Sequence, residues 1–397
     1  MAQQINFERT LLQASGGANT RDMAMTVFSG IVLESFQTAS VFYDRAGSFM
    51  SIKQLNGAAS AQWPIIGNDP AGSYHNPGEF INEQATAGTN VKRIQMFQKT
   101  ITADEYLVNA LDIPFTDLNL LHFDVISPFA TKLGRNLAKI LDRKIAALAV
   151  LASRAPAQVT NGDVYSAGMQ INRVGSSTIA TAYPASPSGA YNFRVDLALL
   201  AQKFDEASIP ESGRFMFITP EIKTALRFEP AFYNAVSSTG AYGGVTNVVG
   251  ATAFQGAPSN YKGGSSMSDI SSRVIGNLEG FQFVVTNNLP NINYNVNTLS
   301  DENAAVFYTS TTKGTGGKYQ VRADGANVST GTKPVAVALC SAETGSPAIG
   351  MVQASGLQTH MEDDQRRNTK FLKAQLMCGL DFLCPWSAGS INIAAAA

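Results

Sequence analysis

The side chains best suited to chemistry in this sequence are three histidines, three cysteines and one run of carboxylates. His75, His122 and His360 lie far apart without i,i+4 pairing, so a metal site would need ligands gathered from distant segments. His75 sits in a turn-rich stretch and reads as facing solvent or an interface. His122, in "LLHFDV", reads as a packed or capping group. Cys340, Cys378 and Cys384 show no metal-type spacing. Cys378 and Cys384 fall in one strand-like run, where six residues at about 3.3 Å each would hold them roughly 20 Å apart. A disulfide needs Cα atoms within about 7 Å, so reduced, packed thiols are expected. Glu362, Asp363 and Asp364 could do acid/base work, but Arg366 and Arg367 follow directly, and a solvated or salt-bridged turn is the simpler reading. "KGTGGKYQ" (313 to 320) fails as a phosphate loop: its first glycine is misplaced, and Tyr319 stands where Ser or Thr would bind magnesium. G-x-S-x-G, H-E-x-x-H and C-x-x-C are absent, and no nucleophile, base and orienter assemble. No catalytic residue, metal ligand or cofactor is assigned.

One helix must position the remaining charged pattern. "SPFATKLGRNLAKILDRKIAALAVLASR", residues 127 to 154, keeps Phe129, Leu133, Leu137, Leu141, Ile145 and Leu148 at helical spacing. Ser127 suits the N-cap, Pro128 suits N1, and Pro156 ends the pattern. Lys132, Arg135, Lys139 and Arg143 form a basic stripe on the opposite side. That stripe reads first as a solvated face and second as an interior or interface surface touching phosphate.

Composition narrows the class. Charged residues are 15% of the 397, against roughly 25% in an ordinary globular chain, while the apolar share of 45% is typical. Few charges over this length mean much neutral surface, which favours association. A net charge of −1 recruits neither nucleic acid nor an anionic membrane globally. No apolar run reaches 18 residues, and "MAQQINFERTLLQASGGANTRD" does not read as a secretory signal.

The remaining elements form an α+β mixture. "RDMAMTVFSGIVLESFQTAS" reads as a helix, with Asp22 its N-cap and Val27, Phe28, Ile31, Val32 and Phe36 on its apolar face. Residues 51 to about 110 read as a long hairpin with an irregular tip, "GNDPAGSYHNPGEFI". Residues 156 to 190 are turn-rich without sustained periodicity. Next come a helix in "FRVDLALLAQKFDEASI", a strand in "RFMFIT", a helix in "PEIKTALRF", and strands in "GFQFVVTNNLP" and "KPVAVALCSA". Leu372, Ala374, Leu376, Cys378, Leu380, Phe382 and Cys384 then alternate strictly, with "GLQTHMEDDQRR" as the hairpin partner.

In order, these pieces resemble the major capsid proteins of short-tailed, T-seven-like (podovirus-type) tailed phages, which have the HK97-like fold. The resemblance runs through "VFSGIVLESFQTASV", "GAASAQWPIIG", "YHNPGE", "HFDV", "IPESGRFMFITPE", "RVIGNLEGFQFVVTNNLP" and "HMEDDQRRNTKFLKAQLMCGLDFLCPWSAGSI". It implies an N-terminal arm and helix (1–50), an extended hairpin loop lying across a neighbouring subunit (51–105), and a peripheral domain with spine helix 127–154 (106–190). An axial domain (191–345) and return strands to the peripheral domain (346–397) complete it. It also implies hexamers and pentamers in an icosahedral shell of triangulation number seven, in the virion, around double-stranded DNA. A scaffolding protein would act during assembly, a portal protein would occupy one vertex, and a decoration or cement protein is a further candidate partner. No enzymatic activity and no membrane are implied. In the loop, Trp63, Pro64, Tyr74, His75 and Phe80 become candidate inter-subunit contacts, since an extended loop needs no burial in its own subunit. The rival within the same fold is an encapsulin-type nanocompartment shell.

Overall fold

The computed structural model describes residues 20–66, 96–120, 126–156, 167–175, 178–211, 213–226, 274–290, 333–341 and 347–394. The elements in chain order are α1 (Thr20–Ala39), a 3₁₀ turn, α2 (Ala46–Phe49), β1 (Met50–Gln54), β2 (Ser60–Ile66), β3 (Met96–Thr102), β4 (Glu105–Pro114) and α3 (Phe115–Leu120). The middle of the chain holds α4 (Ile126–Arg154), β5 (Met169–Val174), α5 (Ile179–Ala182), α6 (Pro187–Glu206), β6 (Phe215–Ile218) and α7 (Pro220–Leu226). Then follow β7 (Val274–Leu278), β8 (Phe281–Val285), β9 (Lys333–Leu339), β10 (Ile349–Asp364), β11 (Thr369–Phe382) and β12 (Ala388–Ala394).

Two sheets share the long helix α4. The first has strand order β1-β10-β11-β4 and the second β5-β12-β9-β6-β8-β7, while β2 and β3 form a separate two-stranded ladder. On β11, Leu372, Ala374, Leu376, Cys378 and Leu380 turn one face into the core with α1 and α4. The second sheet is covered on both faces, so β6 carries no polar position: Phe217 joins the core around α4, while Met216 and Ile218 pack with α6 and α7. Between these layers Ala146, Ala147, Ala149 and Ala152 are fully buried, and small side chains let α4 approach both sheets. That squeeze is why α4 is amphipathic in its first half and buried almost all round in its second.

Several expectations change here. Helix α1 starts at Thr20, so Asp22 lies in its first turn rather than at the cap, and Val27 is exposed because the buried face is Phe28, Val32 and Phe36. Helix α4 starts at Ile126, one residue before the expected cap. The stretch from 156 to 190 contains β5, and α6 begins at Pro187, ahead of the apolar repeat that marked it. The long hairpin narrows to β2 and β3, paired from Ser60↔Thr102 to Ile66↔Met96. Its outer arms belong elsewhere: β1 pairs in parallel with β10, and β4 pairs antiparallel with β11. The β10–β11 hairpin has the expected partner strands, with Met361 opposite Leu372.

Candidate functional site

The base of the β2–β3 hairpin is built by a small core of its own. Trp63 and Ile65 point inward beside Ile101, Val352, Leu383, Cys384 and Trp386. The Trp63 indole N–H donates to Ser51 Oγ at 3.1 Å, and the Lys53 amine lies 4.5 Å over the ring. Lys53 also donates to the Gln62 carbonyl, which ties β1 to β2. On the other arm Lys99 donates to the Phe382 carbonyl and pairs with Asp381 at 3.2 Å. Gly379 on β11 completes the joint, since a Cβ there would sit 1.9 Å from the Thr102 carbonyl oxygen.

This geometry corrects one expected contact. Trp63 is 5% exposed and satisfied within its own chain, so it anchors the hairpin root and has no face left for a neighbour. Pro64 alternates outward and is exposed. Tyr74, His75 and Phe80 lie outside the described residues. The apolar side chains that the described hairpin presents to solvent are instead Met96, 67% exposed, and Phe97, 43% exposed.

The basic stripe of α4 is divided by its surroundings. Lys132 is exposed and Arg143 half-buried. Arg135 and Lys139 line a cleft of about 620 Å³ together with Lys223 of α7 and Thr286, Asn287 and Asn288 after β8. The cleft therefore sits where the two cores meet. Its floor is held by Asp142, which is fully buried. The Asp142 carboxylate accepts from the backbone N–H groups of Val41 at 2.6 Å, Phe42 at 3.2 Å and Tyr43 at 3.4 Å, and from the Asn288 amide at 3.3 Å. Burial nevertheless pushes its carboxyl up to about 6, outweighing four hydrogen bonds that favour the charged form. Sequence reasoning missed Asp142, although its place four residues after Ala138, on the apolar face of α4, was the available signal.

The acidic run is spent on local structure. Asp364 Oδ1 accepts from the Arg366 and Arg367 backbone N–H groups, and Asp363 faces Lys370 at 3.8 Å. His360 is exposed beside Gln375. All three cysteines are buried free thiols, and burial pushes the Cys340 thiol up to about 12. Among the described residues, no three His, Cys, Asp or Glu side chains gather closely enough to hold a metal ion. What the arrangement offers is binding surface: a rooted hairpin with apolar side chains exposed, and a cationic cleft.

An α+β body with two sheets astride one long helix and a separate hairpin is the HK97-like phage capsid fold. The capsid protein of Cyanophage P-SCSP1u superposes with a TM-score of 0.58, covering 90% of this chain and 89% of that one at 20% identity. The mature capsid of bacteriophage PhiM1 superposes with a TM-score of 0.54, covering 89% and 87% at 13% identity. Residues 62–277, more than half of the chain, match the model of the Gp10A-like major capsid proteins, and the chain belongs to that family. It is 30% identical to the major capsid protein of Escherichia phage T7 over 123 residues, 31% of this chain and 32% of the relative. The minor capsid protein of the same phage matches equally well over 123 residues, 28% of its length. The chain thus spans about a third of the length of the curated relatives it matches.

Proposed function

We propose that this chain is the major capsid protein of a tailed phage, assembling as hexamers and pentamers into an icosahedral shell of triangulation number seven around double-stranded DNA. The observation that carries the proposal, beside family membership, is the β2–β3 hairpin. It pairs with no third strand among the described residues, and it presents Met96 and Phe97 to solvent. A two-stranded ribbon is marginal in water on its own, and this one leaves apolar surface that a neighbouring copy would cover. The role is mechanical rather than catalytic: many modest interfaces, repeated by symmetry, add up to a shell.

In this reading residues 1–50 form the N-terminal arm and helix and 51–105 the extended loop. Residues 106–190 form the peripheral domain around the α4 spine, 191–345 the axial domain, and 346–397 the returning strands. The shell would grow with a scaffolding protein, carry a portal protein at one vertex, accept a decoration or cement protein outside, and meet packaged DNA without sequence preference. Electron microscopy of the purified chain, alone and with its scaffolding protein, tests this. Closed particles are expected; monodisperse monomers under every assembly condition would refute it. In the same samples residues 67 to 90 should be cleaved by protease in free subunits and protected in particles.

A further inference from the structure

The cleft between α4, α7 and the end of β8 points to a binding site, and we infer that it receives a carboxylate-bearing segment of a neighbouring copy of this chain. The inference rests on the shell-forming role proposed above. Arg135 and Lys139 supply two exposed positive charges beside Lys223, and no Asp or Glu lines the cleft among the described residues. The buried Asp142 makes its hydrogen bonds elsewhere: its two oxygens accept from three backbone donors and the Asn288 amide. Arg135 and Lys139 are exposed and have no ion-pair partner among the described residues. In a chain with net charge −1, such a pocket is a local excess that an anion would neutralise.

Shape decides which anion. A volume of about 620 Å³ lies within the range of roughly 300–1,000 Å³ that encloses small ligands and single side-chain clusters. A DNA duplex, stiff over about 150 base pairs, could lay only its outer phosphates against the rim. The lining also mixes cations with Ala39, Val41, Pro220 and Val285, which suit the methylene stem of a glutamate rather than a phosphodiester. Thr286 accepts from the Asn288 backbone N–H at 3.1 Å, so the rim is built by a fixed turn and not by loose side chains. A copy of the same chain is the partner present at every position of a shell, and it carries 30 Asp and Glu residues. Both halves of the cleft come from different cores, so an inserted carboxylate would also brace one core against the other.

Particles assembled from equal amounts of unlabelled and nitrogen-15-labelled chain can be treated with a water-soluble carbodiimide, which joins a lysine amine directly to a carboxylate. Mixed-isotope peptides linking Lys139 or Lys223 to an Asp or Glu of another copy are expected in particles and absent from free subunits. Particles that cross-link between copies elsewhere but never at these two lysines would overturn the inference while leaving the shell reading intact. So would DNA-filled particles in which formaldehyde joins Lys139 to DNA and no inter-copy carboxylate link forms. If no particles form under any condition, the shell reading fails and this inference falls with it. The double variant Arg135→Gln, Lys139→Gln gives an independent readout. It should keep its melting temperature, because both side chains are exposed, and should require a higher protein concentration to assemble, with a weaker dependence on salt. Unchanged assembly with unchanged salt dependence would count against the inference.

Discussion

Asp142 Oδ2 accepts a 2.6 Å hydrogen bond from the backbone N–H of Val41, joining α4 to the turn that follows α1 across 101 residues of sequence. Phe42 and Tyr43 donate to the other oxygen, so one carboxylate closes three successive backbone donors. Burial raises its carboxyl from an ordinary 3.8 to about 6. The folded state therefore binds the proton more tightly than the unfolded chain does. The stabilising contribution is complete well below about pH 4 and is lost as pH rises through about 6, roughly 3 kcal/mol in all. Asp142→Asn cannot titrate. The stability difference between the natural chain and this variant, from urea unfolding at pH 4 and pH 7, should shrink by most of that amount, about 2–2.5 kcal/mol, on going to pH 7. A difference that stays constant would contradict the assignment.

Arg214 is buried, 1% exposed, at the turn before β6, with Asp205 at 2.7 Å and the Pro210 carbonyl at 3.0 Å. It also donates to the Ile209 carbonyl and stands over the rings of Phe204 and Phe281. Lysine keeps the charge but cannot reach three acceptors in one plane. Arg214→Lys is expected to cost about 2–3 kcal/mol and Arg214→Ala about 3–5 kcal/mol, read as thermal unfolding of the free subunit. Equal melting temperatures for both variants and the natural chain would show that the guanidinium is dispensable.

Two helical glycines should respond in opposite directions. At Gly134 of α4 an added Cβ would lie 2.0 Å from Ser35 Oγ and 2.5 Å from the Val32 carbonyl oxygen, so α1 must move away. Gly30 of α1 has nothing within 4 Å. Gly30→Ala should gain about 0.5–1 kcal/mol from helix propensity alone. Gly134→Ala should lose about 1–3 kcal/mol despite the same propensity gain, because overpacking displaces backbone. A stabilising Gly134→Ala would mean that the two helices are not held at this distance.

What the sequence made legible was whatever repeats locally. The alternation from Leu372 to Phe382 gave β11, and the apolar repeat from Leu133 to Leu148 gave α4, because periodicity records which face is buried. The parallel pairing of Met50 with Ile349 leaves no local trace, so β1 read as part of a hairpin. Strand β5 was hidden because its burial pattern is irregular, with only Met169 buried outright. The cleft was half visible: Arg135 and Lys139 appeared in the stripe, whereas Lys223 and Asn288 join them only through the packing of α7 and β8. Trp63 was misplaced for a related reason. Its partners Val352, Leu383 and Trp386 lie 289, 320 and 323 residues downstream, so no local pattern marks the indole as buried.

Trp63 also offers the test of whether the hairpin is a separately stabilised unit. Its core shares no residue with the two larger ones, and it consists of eight buried side chains. Trp63→Ala should remove about 3–5 kcal/mol from that small core, the usual cost of deleting a buried aromatic. The larger cores around α4 and α6 lose no contact, so the main unfolding transition should move little. Meanwhile the strands Ser60–Ile66 and Met96–Thr102 should become open to protease. Trp386, the other tryptophan of the chain, packs in the same cluster and should shift its emission to the red. Trp63→Phe keeps an aromatic ring but loses the bond to Ser51 and part of the packing, a smaller cost of about 1–2 kcal/mol, so its hairpin should stay closed. If Trp63→Ala instead lowered the main transition as much as it opened the hairpin, the three clusters would form one cooperative unit. The loop would then be rooted by the whole fold rather than by its own joint.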